Sequence, residues 1–129
     1  MQSIHQEREN HIRSYMLGWL NADESLLFSS LAPHIRITES HGPVYEGIGE
    51  VQQWFRDWRR QGEVLRWDAL HFLHQGDETV VKWFFRCRYE GRTTDMDGVS
   101  LVTFDTQGRI LSMEEYQSKA EHHRPYGAP

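Results

Sequence analysis

The run Val81-Lys82-Trp83-Phe84-Phe85-Arg86-Cys87-Arg88-Tyr89 reads with a period of two. Val81, Trp83, Phe85, Cys87 and Tyr89 share one face of a strand, and Lys82, Arg86 and Arg88, with Phe84, share the other. Stacked cations belong in water, so the aromatic face turns to the core. The strand runs over 79–89. Three more flank it, over 64–74, 94–105 and 109–117, separated by Gln75-Gly76-Asp77, Glu90-Gly91-Arg92 and Thr106-Gln107-Gly108, which read as hairpin turns. Helical signals lie upstream, within the first 62 residues. Helices followed by successive antiparallel strands leave no room for βαβ crossovers. They predict an α+β fold, a curved antiparallel sheet wrapped on N-terminal helices as a cone with an internal pocket.

The helical half has its own punctuation. Ser3-Ile4-His5-Gln6 reads as a capping box, with Ser3 accepting from the Gln6 amide and Gln6 reaching back. Ile12, Tyr15, Met16, Trp19 and Leu20 then make one apolar face. Asn21-Ala22-Asp23 stops that helix and caps a short second one carrying Leu26, Leu27 and Leu31, which Pro33 ends. A short strand is expected over 35–39, broken by His41-Gly42-Pro43. Gly47 and Gly49 lead into a third helix with Val51, Trp54, Phe55 and Trp58 on one face, Arg59 and Arg60 in the last turn and Gly62 as the C′ residue.

Bulk numbers narrow the class. With 129 residues the chain reads as one domain, its core over about 3–117 and a loosely ordered tail over 118–129. A hydrophobic content of 38% with 12% aromatics is that of a folded protein. A net charge of −5 gives no electrostatic reason to expect nucleic acid, and binding through Arg86, Arg88 and Arg92 conflicts with that acidity. The single cysteine, Cys87, admits no internal disulfide and suits a reducing compartment. No secretory leader or apolar run of about 18 residues is present, so no membrane partner is expected and the cytoplasm is the expected location.

The last two strands are apolar on both faces. Ser100, Val102 and Phe104 oppose Val99, Leu101 and Thr103, and Leu111, Met113, Glu115 and Gln117 oppose Ile110, Ser112, Glu114 and Tyr116. The helices can cover only the concave side. A second subunit on the back, around Phe84, Val99 and Leu101, would make a two-fold homodimer; the alternative cover is the C-terminal tail.

Three stretches carry a resemblance: Tyr15-Met16-Leu17-Gly18-Trp19-Leu20-Asn21-Ala22-Asp23, Ile35-Arg36-Ile37-Thr38-Glu39-Ser40, and Phe104-Asp105-Thr106-Gln107-Gly108-Arg109-Ile110. In order and spacing, from about Ile12 to Gln117, the chain resembles the nuclear-transport-factor-2-like superfamily, in particular its SnoaL-like branch of small bacterial proteins. The resemblance implies a cone with a pocket beside the first helix. It covers isomerases, polyketide cyclases, dehydratases and pure binding modules, so it leaves function open.

By the resemblance, Glu39 matches the proton-abstracting aspartate of the ketosteroid isomerases. An apolar, tryptophan-lined site would push its pKa up towards that of a general base; the plain alternative is an exposed loop glutamate. The remaining isomerase groups are absent, for Met16 stands at the tyrosine position, with Tyr15 beside it, and Ser100 stands at the aspartic acid position. Ketosteroid isomerisation is therefore not implied. Glu115, with His74, looks like the acid/base pair of the polyketide cyclases; two carboxyls in one cavity would part into an acid and a base. The alternative is that Glu115 pairs with a buried cation. Phe72 and His74 are out of phase with Trp67 and Ala69, so a bulge is expected near Leu70-His71. Trp19, Trp54 and Trp83 fall on buried faces, Trp58 and Trp67 at a pocket rim, and Tyr15, Tyr45, Ser100 and Gln117 complete the candidate ligand contacts, with simple packing the stronger alternative for Tyr15 and Tyr45. No spacing suggests a metal, and no cofactor is expected. Two functions stay open: a cofactor-independent isomerase, cyclase or dehydratase moving a proton beside a carbonyl of a small, largely apolar molecule, and a non-catalytic ligand-binding or association module.

Overall fold

A computed structural model describes residues 3–118 and 121–127. Helix α1 spans Ile4–Leu20, α2 Glu24–Ser29 and α3 Gly47–Arg59. The strands are β1 Leu31–Thr38, β2 Val44–Glu46, β3 Gly62–Gln75, β4 Glu78–Tyr89, β5 Arg92–Phe104 and β6 Ile110–Gln117. They form one curved, unclosed sheet of order β2-β1-β6-β5-β4-β3.

The four long strands follow the alternation expected of them, each to within two residues at either end. Their hairpins are set by turn chemistry. At the tip of β4–β5, Glu90 and Gly91 take φ of 50° and 81°, the left-handed pair that matches strand twist in a two-residue loop. In the β5–β6 loop Asp105 Oδ1 accepts from the amides of Gln107 and Arg109, each at 2.9 Å. The bulge near Leu70-His71 is present: pairing with β4 slips between Ala69 and His71. Phe72 thereby comes opposite buried Val81, and His74 opposite buried Thr79.

Several local expectations need correction. One sheet contact is parallel, since β1 lies beside β6 in the same direction, so the sheet is mixed at that seam. Pro33 does not end α2; that helix stops at Ser29, and Pro33 lies inside β1, where the register with β6 slips and no ladder amide is required of it. Strand β2 gave no periodic signal because it has only three residues. The capping box is half made: Ser3 accepts from the Gln6 amide at 3.1 Å, but the Gln6 side chain turns forward to Asn10 at 3.0 Å. Asp23 caps α2 through the Leu26 amide at 3.1 Å. Arg56 and Arg59, not Arg60, are the last-turn cations of α3. Gly62 opens β3 instead of closing α3, and a Cβ there would stand 2.6 Å from the Tyr89 ring.

The core lies between α1, α3 and the concave face. Ile12, Tyr15, Met16 and Trp19 of α1 are buried against Val51 and Phe55 of α3, and against Val81, Trp83, Val102 and Met113 of the sheet. Gly18 lets α2 come close, for a Cβ there would lie 2.7 Å from the Leu27 backbone. Arg8 anchors α1 to the β3–β4 turn, donating to the Gly76 carbonyl at 2.7 Å and lying over Phe104. On the back, Leu73 and Tyr116 are exposed, while Phe84 is flanked by the Arg66 and Arg86 guanidiniums. The described part of the tail lies against part of that face: Ser118, Glu121 and His122 line one recess with Phe84 and Arg86, and His122 meets the Asp97 carboxylate at 3.0 Å. Residues 119, 120, 128 and 129 of the expected loose tail lie outside the described residues.

Candidate functional site

Alternation in β3, β4 and β6 sends every second side chain into the hollow of the sheet, and α1 and α3 close it from the other side. The resulting cavity is about 400 Å³. All five tryptophans line it: Trp19 from α1, Trp54 and Trp58 from α3, Trp67 from β3 and Trp83 from β4. Neighbouring rings meet edge to face. Trp19 lies 4.8 Å from Trp54 at 62° and 5.6 Å from Trp58 at 90°, and Trp67 lies 6.2 Å from Trp83 at 89°. Edge-to-face is one of the favoured packings of aromatic rings, and here it sets the walls at angles to one another.

Two carboxyls enter this aromatic box. Glu39 follows the last residue of β1, and Glu115 stands on β6 two residues after buried Met113. Tyr45 of β2 donates its hydroxyl to Glu39 Oε1 at 2.7 Å, and the Tyr45 ring stacks on Trp54 at 4.4 Å. Burial first, and the Glu39 carboxylate second, push the Tyr45 hydroxyl well above the usual phenol range; Glu39 appears in both its hydrogen bond and its charge. Glu115 has neither a hydrogen bond nor an ion pair among the described residues. It is half-buried because one side faces the cavity, yet enough protein surrounds it to withhold bulk water. Desolvation, and then the negative charge of Glu39, raise its pKa to about 8. The buried cation that could have neutralised Glu115 is absent among the described residues lining the cavity, which include no lysine or arginine.

The other candidates divide. Gln117 lines the cavity and its Oε1 accepts from the Ser40 hydroxyl at 2.8 Å. Tyr45, with Trp54 and Trp58, lines a more open outer recess of about 640 Å³ that shares Glu39 and His41 with the cavity. Ser100 is buried and does not line the cavity; it accepts the Trp83 indole N–H at 2.9 Å. Tyr15 is buried behind Trp67, its hydroxyl without a partner within the described protein and pushed well above the usual phenol range by burial, then by Glu115. His74 is not brought to Glu115. Its Nε2 lies 2.8 Å from Glu9 Oε2, its Nδ1 2.8 Å from Thr79 Oγ1, and its ring stacks on His5 at 4.1 Å, so it fastens α1 to the β3–β4 hairpin.

Sequence reasoning did not name Ser40, His41, Val64, Phe85, Cys87, Tyr89, Thr94 or Met96 as site residues, and all eight line the cavity. Cys87 and Met96 could have been found, since each shares the inward phase of its strand with residues already assigned; Cys87 is a buried thiol pushed up by desolvation and then by Asp95. Ser40 and His41 sit in a turn without a period to read.

The family model of the SnoaL-like domain matches residues 12–113. The chain belongs to the SnoaL-like family. No curated protein matches it. Among solved structures it is similar to a candidate isomerase from Bacillus subtilis, with 13% identity and a TM-score of 0.79 over 91% of this chain and 90% of that one. A protein with the ketosteroid isomerase-like fold from Catenulispora acidiphila, solved with trimethylamine, matches with 13% identity and a TM-score of 0.75 over 84% and 85%. A candidate SnoaL-like polyketide cyclase from Mesorhizobium loti matches with 21% identity and a TM-score of 0.70 over 89% and 99%. At these identities the likeness speaks for the fold alone, and a fold does not by itself give an activity.

Proposed function

We propose that this SnoaL-like protein moves a proton beside a carbonyl of a small organic molecule, without a cofactor, using Glu39 and Glu115 in unlike protonation states. The observation that carries the reading is the pair itself: two carboxyls, Glu39 and Glu115, line one aromatic cavity that no described lysine or arginine lines, and burial with the nearby Glu39 charge raises the Glu115 pKa to about 8. A carboxylate accepts the proton next to the carbonyl; a protonated carboxyl donates a hydrogen bond to the carbonyl oxygen as negative charge gathers there. Tyr45 occupies Oε1 of Glu39 and so fixes the plane in which the other oxygen acts. The aromatic walls exclude water from the charge that develops. The trimethylamine bound by one structural neighbour supports a small-ligand site in this frame.

The test is hydrogen–deuterium exchange into a panel of small cyclic ketones and diketones, followed by magnetic resonance. Exchange above the buffer rate is expected, falling above pH 8 as Glu115 ionises, and lost in Glu39→Gln. Wild-type exchange in Glu39→Gln would overturn the assignment. One observation favours a receptor without turnover: Ser100 and Tyr15, the hydroxyls nearest the isomerase oxyanion positions, do not line the cavity. Saturable ligand binding without exchange in any member of the panel would select that reading.

We also propose that the protein works in the cytoplasm as a homodimer through the back of the sheet. Exposed Leu73 and Tyr116 beside half-buried Phe84, Val99 and Leu101 support it. Light scattering should give twice the chain mass for the wild type and the chain mass for Leu101→Asp; a monomeric wild type overturns it.

A further inference from the structure

The outer recess has a character of its own. Two ring pairs border it: Tyr45 stacked on Trp54 at 4.4 Å and 11°, and Trp58 beside Tyr89 at 5.5 Å and 32°. Three carboxylates, Glu39, Glu50 and Asp57, line the same space, and among the described residues no lysine or arginine does. Each carboxylate is only lightly engaged. Glu39 takes the Tyr45 hydroxyl, Glu50 takes the Glu46 amide at 2.8 Å, and Asp57 meets Arg60 at 3.2 Å in an exposed pair. His41 is the one lining residue that can carry positive charge. Electron-rich ring faces, and the Glu39 and Glu50 carboxylates that meet no cation among the described residues, both attract a weakly hydrated cation, and few other groups satisfy both.

Behind these rings Trp19 is 4% exposed and touches Trp54 and Trp58 edge to face, with its indole N–H turned to the Tyr15 hydroxyl and not to the recess.

We propose that the recess receives an ammonium or quaternary ammonium group on the same small molecule whose carbonyl end enters the inner cavity. The substrate class is then an amino- or trimethylammonio-substituted carbonyl compound. The carbonyl half of this statement rests on the proton-transfer reading above, and the cation half does not. It separates the two ends of the ligand: positive nitrogen against the rings and carboxylates of the recess, carbonyl beside Glu115, which lines the inner cavity alone.

The experiment uses the full chain, titrated in low salt at neutral pH with two probes of nearly equal shape. One is choline. The other is its uncharged isostere, in which a tert-butyl group replaces trimethylammonium. Calorimetry should show choline binding about tenfold or more tighter, from cation–ring and carboxylate attraction together. Glu50→Gln with Asp57→Asn, both on the exposed side of α3, should reduce that ratio to about threefold while leaving the isostere unchanged, which also certifies the fold. Trp58→Leu should weaken choline more than the isostere. Equal affinities in the wild type, no binding of either probe, or a parallel loss of both in the double variant overturns the proposal. Glu115→Gln keeps the choline preference if the recess acts alone. Failed exchange with an intact choline preference therefore refutes the chemistry and not the recess, and the reverse result does the opposite.

Discussion

Replacing Glu115 by glutamine should change how stability depends on pH more than it changes stability at any one pH. In the folded protein the Glu115 carboxyl titrates at about 8, against an ordinary value of 4.5. Between those values the folded chain holds a proton that the unfolded chain has released, so unfolding stability falls as pH rises through this window. Below about 4.5 both states are protonated and nothing is lost; above about 8 both are ionised and the loss is complete. Three and a half decades at about 1.4 kcal/mol each set an upper bound of roughly 5 kcal/mol. Glu115 is half-buried, with one side open to the cavity, and screening there reduces the figure to about 2 kcal/mol. Glutamine has nearly the same shape and no proton to lose. Urea unfolding from pH 5 to pH 9 should therefore show the variant gaining about 2 kcal/mol on the wild type by pH 9, with the curves converging near pH 5. Glu39→Gln should flatten the wild-type slope in part, since the Glu39 charge is the second cause of the shift. Parallel curves for Glu115→Gln and wild type across the whole window would show that Glu115 is hydrated and ionised like a surface carboxylate, and the acid role would go with it.

Other expectations concern what holds the site. Tyr45→Phe removes the donor to Glu39 and should cost about 1 kcal/mol in chemical denaturation, with slower proton exchange; unchanged exchange would mean that Tyr45 does not position the base. Gly98→Ala puts a Cβ 2.1 Å from the Tyr116 carbonyl oxygen and 2.9 Å from the Trp83 ring, so β5 and β6 must part where they carry the cavity; a loss of about 3 kcal/mol is expected, and a loss under half that would show that the strands yield easily. Asp23→Ala removes the cap of α2 and should cost about 1 kcal/mol in the same assay with ligand binding unchanged.

What could be read from the sequence follows how far each signal extends. Long strands with cations on one face declare both their period and their side, and the slip at Leu70-His71 was legible because Phe72 and His74 break phase with Trp67 and Ala69. Glu115 was legible as a cavity residue because it continues an alternation fixed by buried Met113, whereas Glu39 was placed there by the resemblance, which sets it at the isomerases' proton-abstracting aspartate. The parallel seam between β1 and β6 was not legible, since nothing local records which strand a short, proline-bearing segment will join. Strand phase turned His74 inward correctly, but a position along the strand was mistaken for a position in the cavity. The bulge and the length of β3 carry His74 to the far end, where it meets Glu9 and His5 of α1, a contact over 65 residues that no periodicity announces.

For the proposed proton transfer, the register between β5 and β6 shows how a carboxyl on the neighbouring strand could serve the same hollow. Ser100 stands where the resemblance places the isomerases' protonated aspartic acid, and its hydroxyl is spent on the Trp83 indole. Directly across the ladder, paired with Ser100, is Glu115. Paired residues of adjacent strands project to the same face only about 5 Å apart. A carboxyl on either strand can therefore serve one hollow, and its longer side chain helps it reach. What the proposed chemistry requires is not a particular strand but a carboxyl kept from water, with another carboxylate near enough to hold its proton on. In this chain desolvation by the tryptophan walls supplies the first condition and Glu39 the second. Adding a second carboxyl by Ser100→Asp should then set two acids against each other, raising one further and releasing the other, and the exchange rate should fall rather than double.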